Sequence, residues 1–247
     1  MRGPASELFL LFTLLADTSI AATACVDPTQ LAHSAVRLTR YFDELESHDH
    51  RGLVGVRGTG WFLSPTTIVT AEHVTAAMTL STQSWKPLEI VDEDGSQFVP
   101  TRIQRVAGPQ TERLAIIELQ RAVSDARSVA IRKEPLAPDE QVMVLTYPAG
   151  RPQLITGRFV QFGDYGKLIG LVLLEMYDGD NRLIVDHGAS GAPVFDCKGR
   201  IAAVVSNVFT QSIEWAHHEI RISTAWGMPN VVSVPIQALD DSSPQPH

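Results

Sequence analysis

The sequence predicts an all-β domain, because short apolar segments rich in β-branched and aromatic residues recur between turn residues from Val36 onward. Ten segments have this character: GLVGV, GWFLS, TTIVTA, LAIIEL, QVMVLTY, LITGRFVQF, LIGLVLLEM, APVF, IAAVVSNV and VVSVPI. Their spacing is typical of a β-sandwich or β-barrel, and it differs from the regular alternation of strands and helices in a parallel-sheet protein.

The segment 27–45 is ambiguous, because its apolar residues also fit the spacing of a helix. Asp27 and Pro28 are a typical helix start. We therefore expect a short helix that runs into the first strand.

Composition and charge narrow the class of protein. The 247 residues are 44% apolar and 19% charged, which is ordinary for a globular protein with a sizeable core. The net charge is -8, and no block rich in lysine and arginine occurs, so the sequence lacks the basic surface of a nucleic-acid-binding protein. We expect one domain over residues 25–239, followed by a polar, disordered tail over residues 240–247.

Residues 1–24 have the pattern of a secretory signal peptide. Arg2 precedes an apolar run from Leu8 to Ala16, and Ala22 and Ala24 form the small-residue pattern of a cleavage site. The apolar run is too short to span a bilayer, which takes about 20 residues, and no later segment is long enough. The sequence therefore predicts a secreted or periplasmic protein without a transmembrane segment.

The two cysteines, Cys25 and Cys197, suggest one disulfide bond, because an exported protein meets an oxidising compartment. Cys25 is also the first residue after the predicted leader, where small residues before a cysteine suit lipoprotein processing. A disulfide is our first interpretation, and a lipid anchor at Cys25 is the second.

Two segments carry the residues of a hydrolytic site: GTGWFLSPTTIVTAEHV, which contains His73, and DHGASGAPVFDCKGRIAAVVSNV, which contains Ser190. The first is similar to the strand, turn and Thr-Ala-x-His segment of trypsin-like serine peptidases, and the second resembles their Gly-x-Ser-Gly-x-Pro signature. The resemblance extends from about Val36 to Leu239. It implies two six-stranded antiparallel β-barrels with the active site in the cleft between them.

The chemistry of acyl transfer explains these residue types. A serine hydroxyl is a weak nucleophile until a neutral imidazole accepts its proton. By resemblance, Ser190 is the nucleophile, His73 is the base, and the N–H groups of Gly188 and Ser190 form the oxyanion hole. The resemblance thus implies a serine endopeptidase that acts on polypeptides through an acyl-enzyme. We expect it to be a monomer and to need no cofactor.

The third catalytic residue departs from the family pattern. In the segment ERLAIIEL, residues 112–119, Arg113 occupies the place of the family's aspartate. Three interpretations are open. Glu112 orients His73 and completes a Ser-His-Glu triad, or His73 and Ser190 act as a dyad, or the chain is an impaired or inactive trypsin-like binding protein.

The resemblance also implies where the substrate side chain binds. The residue six positions before the nucleophile is Ile184, where trypsin has its pocket aspartate, so cleavage after lysine or arginine is not supported and an apolar or small side chain is expected. The candidate substrate-binding residues are Ile184, Asp186, His187, Ser206, Asn207 and Val208. His48, Asp49 and His50 lack a further ligand at suitable spacing, so we expect no metal site.

Overall fold

Two antiparallel β-sheets account for most of the chain that the computed structural model describes. The described residues are 25–41, 55–76, 88–106, 114–165, 168–177, 188–208, 211–215, 218–222, 229–237 and 239. They begin with a 3₁₀ helix, Pro28–Ser34, in which the Asp27 carboxylate accepts a hydrogen bond from the Thr29 amide. The expected short helix that runs into a strand is therefore present, as a 3₁₀ helix.

The first sheet contains seven strands. They are β1 (Ala35–Tyr41), β2 (Gly55–Ser64), β3 (Thr67–Ala71), β4 (Glu89–Val91), β5 (Gln97–Phe98), β6 (Pro100–Arg105) and β7 (Leu114–Leu119). Their order across the sheet is β5-β4-β1-β2-β3-β7-β6. The two edge strands, β5 and β6, are separated in the chain by Val99 alone, so the sheet must curl until its edges meet.

The second sheet is a closed six-stranded barrel. Its strands are β8 (Gln141–Thr146), β9 (Gln153–Tyr165), β10 (Leu168–Tyr177), β11 (Pro193–Asp196), β12 (Ile201–Val208) and β15 (Val231–Pro235). A hairpin of β13 (Gln211–Trp215) and β14 (His218–Ile222) forms a separate two-stranded sheet. The predicted two-barrel, all-β fold is confirmed. The first barrel is a curled half-barrel of seven strands, whereas the resemblance implies six strands; Val99 separates β5 from β6.

Hydrophobic packing joins the two barrels. Each barrel has its own buried cluster, and a third cluster contains side chains from both. In this shared cluster Trp61 and Val69 of the first barrel pack with Tyr147 and Phe195 of the second. Burial of these large side chains stabilises the interface, at about 25 cal/mol for each Å² of apolar surface removed from water.

Ion pairs bind the segment that connects the two barrels, between β7 and β8, to the second barrel. The Arg132 guanidinium is buried and binds the carboxylates of Glu140 and Asp196. Burial by itself would raise the pKa of Glu140, but the hydrogen bonds from Arg132 and from the Ala137 amide outweigh it and hold that pKa below its ordinary value. The backbone of Arg132 also donates to the carbonyl of Ile201 at 2.8 Å.

Candidate active site

The turn 188–191 precedes β11 and carries Ser190. Gly188 and Gly191 have φ angles of 112° and 85°. Residues other than glycine rarely adopt φ angles in this region, because their Cβ atom clashes with the backbone. The Gly191 amide donates to the carbonyl of Val205 at 2.8 Å, and the Val205 amide donates to the carbonyl of Ala192 at 2.9 Å. Strand β12 thus fixes the end of the turn, while the Ser190 side chain remains partly exposed.

His73 lies in a short helix, α1 (Glu72–Ala76), which begins directly after β3. Thr70 and Ala71, the residues before the helix, pair with Ala115 and Leu114 of β7. Val74, the neighbour of His73, is buried, whereas His73 itself is exposed. Pairing on one side and burial on the other therefore fix the backbone on which the imidazole is carried.

Gly58 and Thr59, at the middle of β2, bring the histidine and serine segments together. A methyl group at Gly58 would lie 2.6 Å from the Val74 side chain and 3.0 Å from the Ser190 carbonyl oxygen, so the backbones meet there. The Thr59 amide donates to this Ser190 carbonyl at 2.8 Å. The structure thus brings the segments of His73 and Ser190 to the same place at the junction of the barrels.

The candidate oxyanion hole consists of two backbone amides. Among the described residues, neither the N–H of Gly188 nor that of Ser190 donates to a backbone carbonyl, whereas the next two amides, of Gly191 and Ala192, do. The Gly188 carbonyl is buried and accepts a hydrogen bond of 2.6 Å from the Thr59 hydroxyl. Two amides without a backbone partner in this turn suit a negatively charged oxygen.

Glu112 is the predicted acidic residue of the site, and Glu72 is the acidic residue directly before His73 in the sequence. Glu112 and Arg113 lie outside the described residues, although the next residue, Leu114, pairs with Ala71, two positions before His73. The carboxylate of Glu72 is largely buried and lies 2.5 Å from the Arg105 guanidinium. Glu72 is therefore engaged in an ion pair and is a poor candidate for orienting the imidazole.

The substrate-binding candidates are only partly described. Ser206 is buried in β12 at a β-bulge, between the pairs formed by Val205 with Ser233 and by Asn207 with Val232. Such bulges are frequent beside active sites, where they redirect a strand. Asn207 and Val208 continue this strand along β15, while Ile184, Asp186 and His187 lie outside the described residues.

Four other predictions have different outcomes. The disulfide bond between Cys25 and Cys197 is present, and the Val26 amide donates to the Cys197 carbonyl at 2.9 Å. The residues of the predicted signal peptide and those of the His48–His50 segment lie outside the described residues. No helix in the described part of the chain is long and apolar enough to cross a membrane.

One group of metal-type ligands does occur among the described residues, at a distance in sequence from the candidate site. The Nδ1 atom of His33 lies 3.9 Å from Asp94 Oδ2 and 4.0 Å from Asp125 Oδ2. All three side chains are exposed. Exposed groups of this kind form weak ion pairs when the histidine is protonated, and nothing further points to a metal ion there.

Two residues that contact the Ser190 turn, Thr59 and Tyr147, were not predicted from the sequence. The Tyr147 amide donates to the Thr59 hydroxyl, and the Tyr147 carbonyl would lie 2.8 Å from a methyl group placed at Gly188. A hydroxyl residue between two glycines, as in the segment Gly58-Thr59-Gly60, was a signal that could have identified Thr59. Tyr147 gave no comparable signal.

Comparison with known families and structures supports the same assignment of fold. Residues 58–204 match the model of the trypsin-like peptidase domain. No curated protein sequence matches the chain. The matched range contains both His73 and Ser190.

Several solved structures are similar to this one. The active form of the Rv3671c protease from M. tuberculosis superposes with a TM-score of 0.58 at 17% identity, covering 97% of this chain and 92% of that one. Its inactive form has a TM-score of 0.56 at 16% identity and covers 89% and 96%. Deg5 has a TM-score of 0.58 at 16% identity and covers 86% and 88%. At these identities the likeness extends to the fold alone.

Proposed function

Because the chain belongs to the trypsin-like peptidase family, we propose that it is a secreted serine endopeptidase with Ser190 as nucleophile and His73 as general base. The observation that carries this proposal is the junction at Gly58 and Thr59, where the backbone beside His73 meets the Ser190 carbonyl. Nucleophile and base must lie within hydrogen-bond reach of each other in the reacting complex, and this junction brings their segments together.

The reaction follows from these roles. The Ser190 oxygen attacks the carbonyl carbon of the scissile peptide bond, its proton passes to His73, and the carbonyl π electrons move to the oxygen. The N–H groups of Gly188 and Ser190 stabilise that oxyanion. The tetrahedral intermediate then collapses, the C–N bond breaks, and His73 protonates the leaving amine. Water, deprotonated by His73, hydrolyses the resulting Ser190 ester and regenerates the enzyme.

Glu112 is the proposed third residue. It comes two positions before Leu114 in the sequence, and Leu114 pairs with Ala71, two positions before His73. Glu72, the other acid in this region, is paired with Arg105. A carboxylate beside the imidazole would hold its useful tautomer and stabilise the imidazolium that forms during the reaction.

Export of the protein is part of the proposal. The disulfide between Cys25 and Cys197 supports it, because such bonds persist in extracellular and periplasmic compartments and are rare in the cytosol. The predicted leader over residues 1–24 is the segment that would direct the chain there.

The first test is covalent labelling with a fluorophosphonate. We expect one adduct per chain, formed when Ser190 attacks phosphorus and displaces fluoride, and we expect no adduct on Ser190→Ala. Ser128→Ala, which alters an exposed serine outside the site, should label like the parent protein. Absence of labelling in protein that is folded by circular dichroism would instead favour the binding-protein alternative, in which the fold lacks catalysis.

The second test concerns Glu112. Replacing Glu112 with glutamine keeps the size of the side chain and removes its charge, so kcat should fall by about 10² to 10⁴ while the melting temperature changes little. Steady-state kinetics on a peptide substrate measure this effect. A normal kcat in the folded variant would contradict the Ser-His-Glu triad and leave a His73–Ser190 dyad.

A further inference from the structure

Thr59 is buried at the interface of the two barrels and uses every polar group that it has. Its amide donates to the Ser190 carbonyl at 2.8 Å, and its hydroxyl donates to the Gly188 carbonyl at 2.6 Å. The same hydroxyl accepts a hydrogen bond of 3.3 Å from the Tyr147 amide. Its carbonyl accepts one of 2.7 Å from the Thr70 hydroxyl. Thr59 is thus in contact with the Ser190 turn at two points, through backbone and side chain.

From this arrangement we infer that Thr59 is a positioning residue for the oxyanion hole, an inference that rests on the proposed peptidase function. A peptide unit is planar, so fixing the Gly188 carbonyl fixes the plane of the whole 188–189 peptide. The amides on either side of this plane, those of Gly188 and Ser190, are the two proposed oxyanion donors. By holding this linking peptide, the Thr59 hydroxyl restricts the directions in which the two donors can point.

The turn needs such an external constraint because its first residue is glycine. Gly188 has φ 112°, which glycine can adopt, but glycine adopts many other conformations at similar energy. The covalent structure of Gly188 therefore does not by itself keep the turn in the conformation observed. The Thr59 hydroxyl binds the Gly188 carbonyl, and the Tyr147 carbonyl oxygen would lie 2.8 Å from a Cβ placed on Gly188, so both restrict the conformations open to this residue.

The chemistry of position 59 calls for a hydroxyl group. A hydroxyl both donates and accepts, so one small group satisfies the Gly188 carbonyl and the Tyr147 amide together. Valine has the same shape as threonine but would leave both of these backbone groups without their partner. Tyr147 is itself held in place, since its buried ring reaches the first barrel and its hydroxyl donates to the Ala35 carbonyl at 3.2 Å.

The test compares Thr59→Val with Thr59→Ser and with the matched control Thr146→Val. Thr146 is a threonine of the second barrel, equally buried and adjacent to Tyr147, whose hydroxyl has no hydrogen-bond partner among the described residues. We expect Thr59→Val to lower kcat by about 10² to 10³, as loss of an oxyanion donor does, with little change in KM, because these donors act on the transition state. Thr59→Ser should retain most of the activity, and Thr146→Val should be unaffected.

A second measurement separates positioning from a purely structural role. All variants are assayed well below their melting temperatures, and hydrogen exchange by mass spectrometry follows the amides of the peptide containing residues 188–191. Faster exchange in Thr59→Val, without change in Thr146→Val, is the expected result. A normal kcat in folded Thr59→Val, or a loss that Thr59→Ser does not restore, would overturn the inference.

The parent protein distinguishes failure of the inference from failure of the proposed function. If the parent does not react with a fluorophosphonate, the peptidase proposal fails, and the role of Thr59 in an oxyanion hole fails with it. If the parent reacts and Thr59→Val reacts at the same rate, the peptidase proposal stands and only the role of Thr59 is wrong.

Discussion

Replacing Gly191 with alanine is expected to lower the free energy of unfolding by about 2 to 5 kcal/mol, the sum of a backbone and a packing cost. The backbone cost arises because Gly191 has φ 85°. The packing cost arises because a methyl group there would lie 2.1 Å from the Thr70 hydroxyl, 2.2 Å from the Thr59 carbonyl and 2.7 Å from the Ala71 amide. None of these atoms can move freely, because all three belong to the paired strands β2 and β3 and the Thr70 hydroxyl is bound to the Thr59 carbonyl.

The same substitution should also remove most of the peptidase activity. The clash pushes the turn away from β2 and β3, and displacement of a reacting group by about 1 Å can lower the rate about 10²-fold. Gly95→Ala is the matched control, because Gly95 has the same φ of 85° but a methyl group placed on it would meet no atom within 4 Å. Urea unfolding and peptide hydrolysis measure both variants. Equal losses in the two would show that backbone strain, and not the contact between barrels, is responsible.

Loss of the disulfide between Cys25 and Cys197 is the other change with a large expected effect. The bridge joins residues 172 positions apart, and the chain-entropy model assigns a loop of this length about 5 kcal/mol. We expect the double variant Cys25→Ser, Cys197→Ser to lose a stability near this value, because its unfolded chain regains the conformations that the bridge excludes.

Urea unfolding of the double variant is best compared with the oxidised and the reduced parent protein. The reduced parent should resemble the double variant, while the oxidised parent should be more stable than both. Intact mass and a non-reducing peptide map decide the chemistry of Cys25, since a sulfur that carries a lipid cannot also bond Cys197. Two free thiols in the oxidised preparation would contradict the bridge, and a diacylglycerol mass would favour the lipid anchor.

Strands with a strong apolar pattern could be predicted from the sequence. The segments LAIIEL and IAAVVSNV coincide with β7 and β12 as the structure has them. The short strands β4, β5 and β6 were not predicted, because their side chains are mixed in polarity and their pairing is set by neighbouring strands. In such segments tertiary context outweighs the intrinsic preference of the residues.

The candidate site was predictable to a similar extent. Motifs identify residues with reactive groups, and they led to His73, Ser190 and Gly188. They do not identify residues that hold the backbone of a site in place, and for this reason Thr59 and Tyr147 were missed. Tyr147 acts through its backbone, because its carbonyl approaches Gly188 and its amide donates to the Thr59 hydroxyl, and every residue other than proline has both groups. Its side chain therefore carries no signal of this role.

Because Cys25 is bonded to the second barrel, the N-terminal residues of the domain are synthesised early but reach their final positions late. Residues 25–26 are bound by Cys197, which emerges 172 residues later, or roughly 10 to 30 s later at ordinary elongation rates. The first residues of the domain therefore wait for almost the last strands. The turn that carries Ser190 in the same way requires Thr59 from the first barrel. We thus expect the chain to become catalytically competent only after the segment with Ser190 and Cys197 has been synthesised.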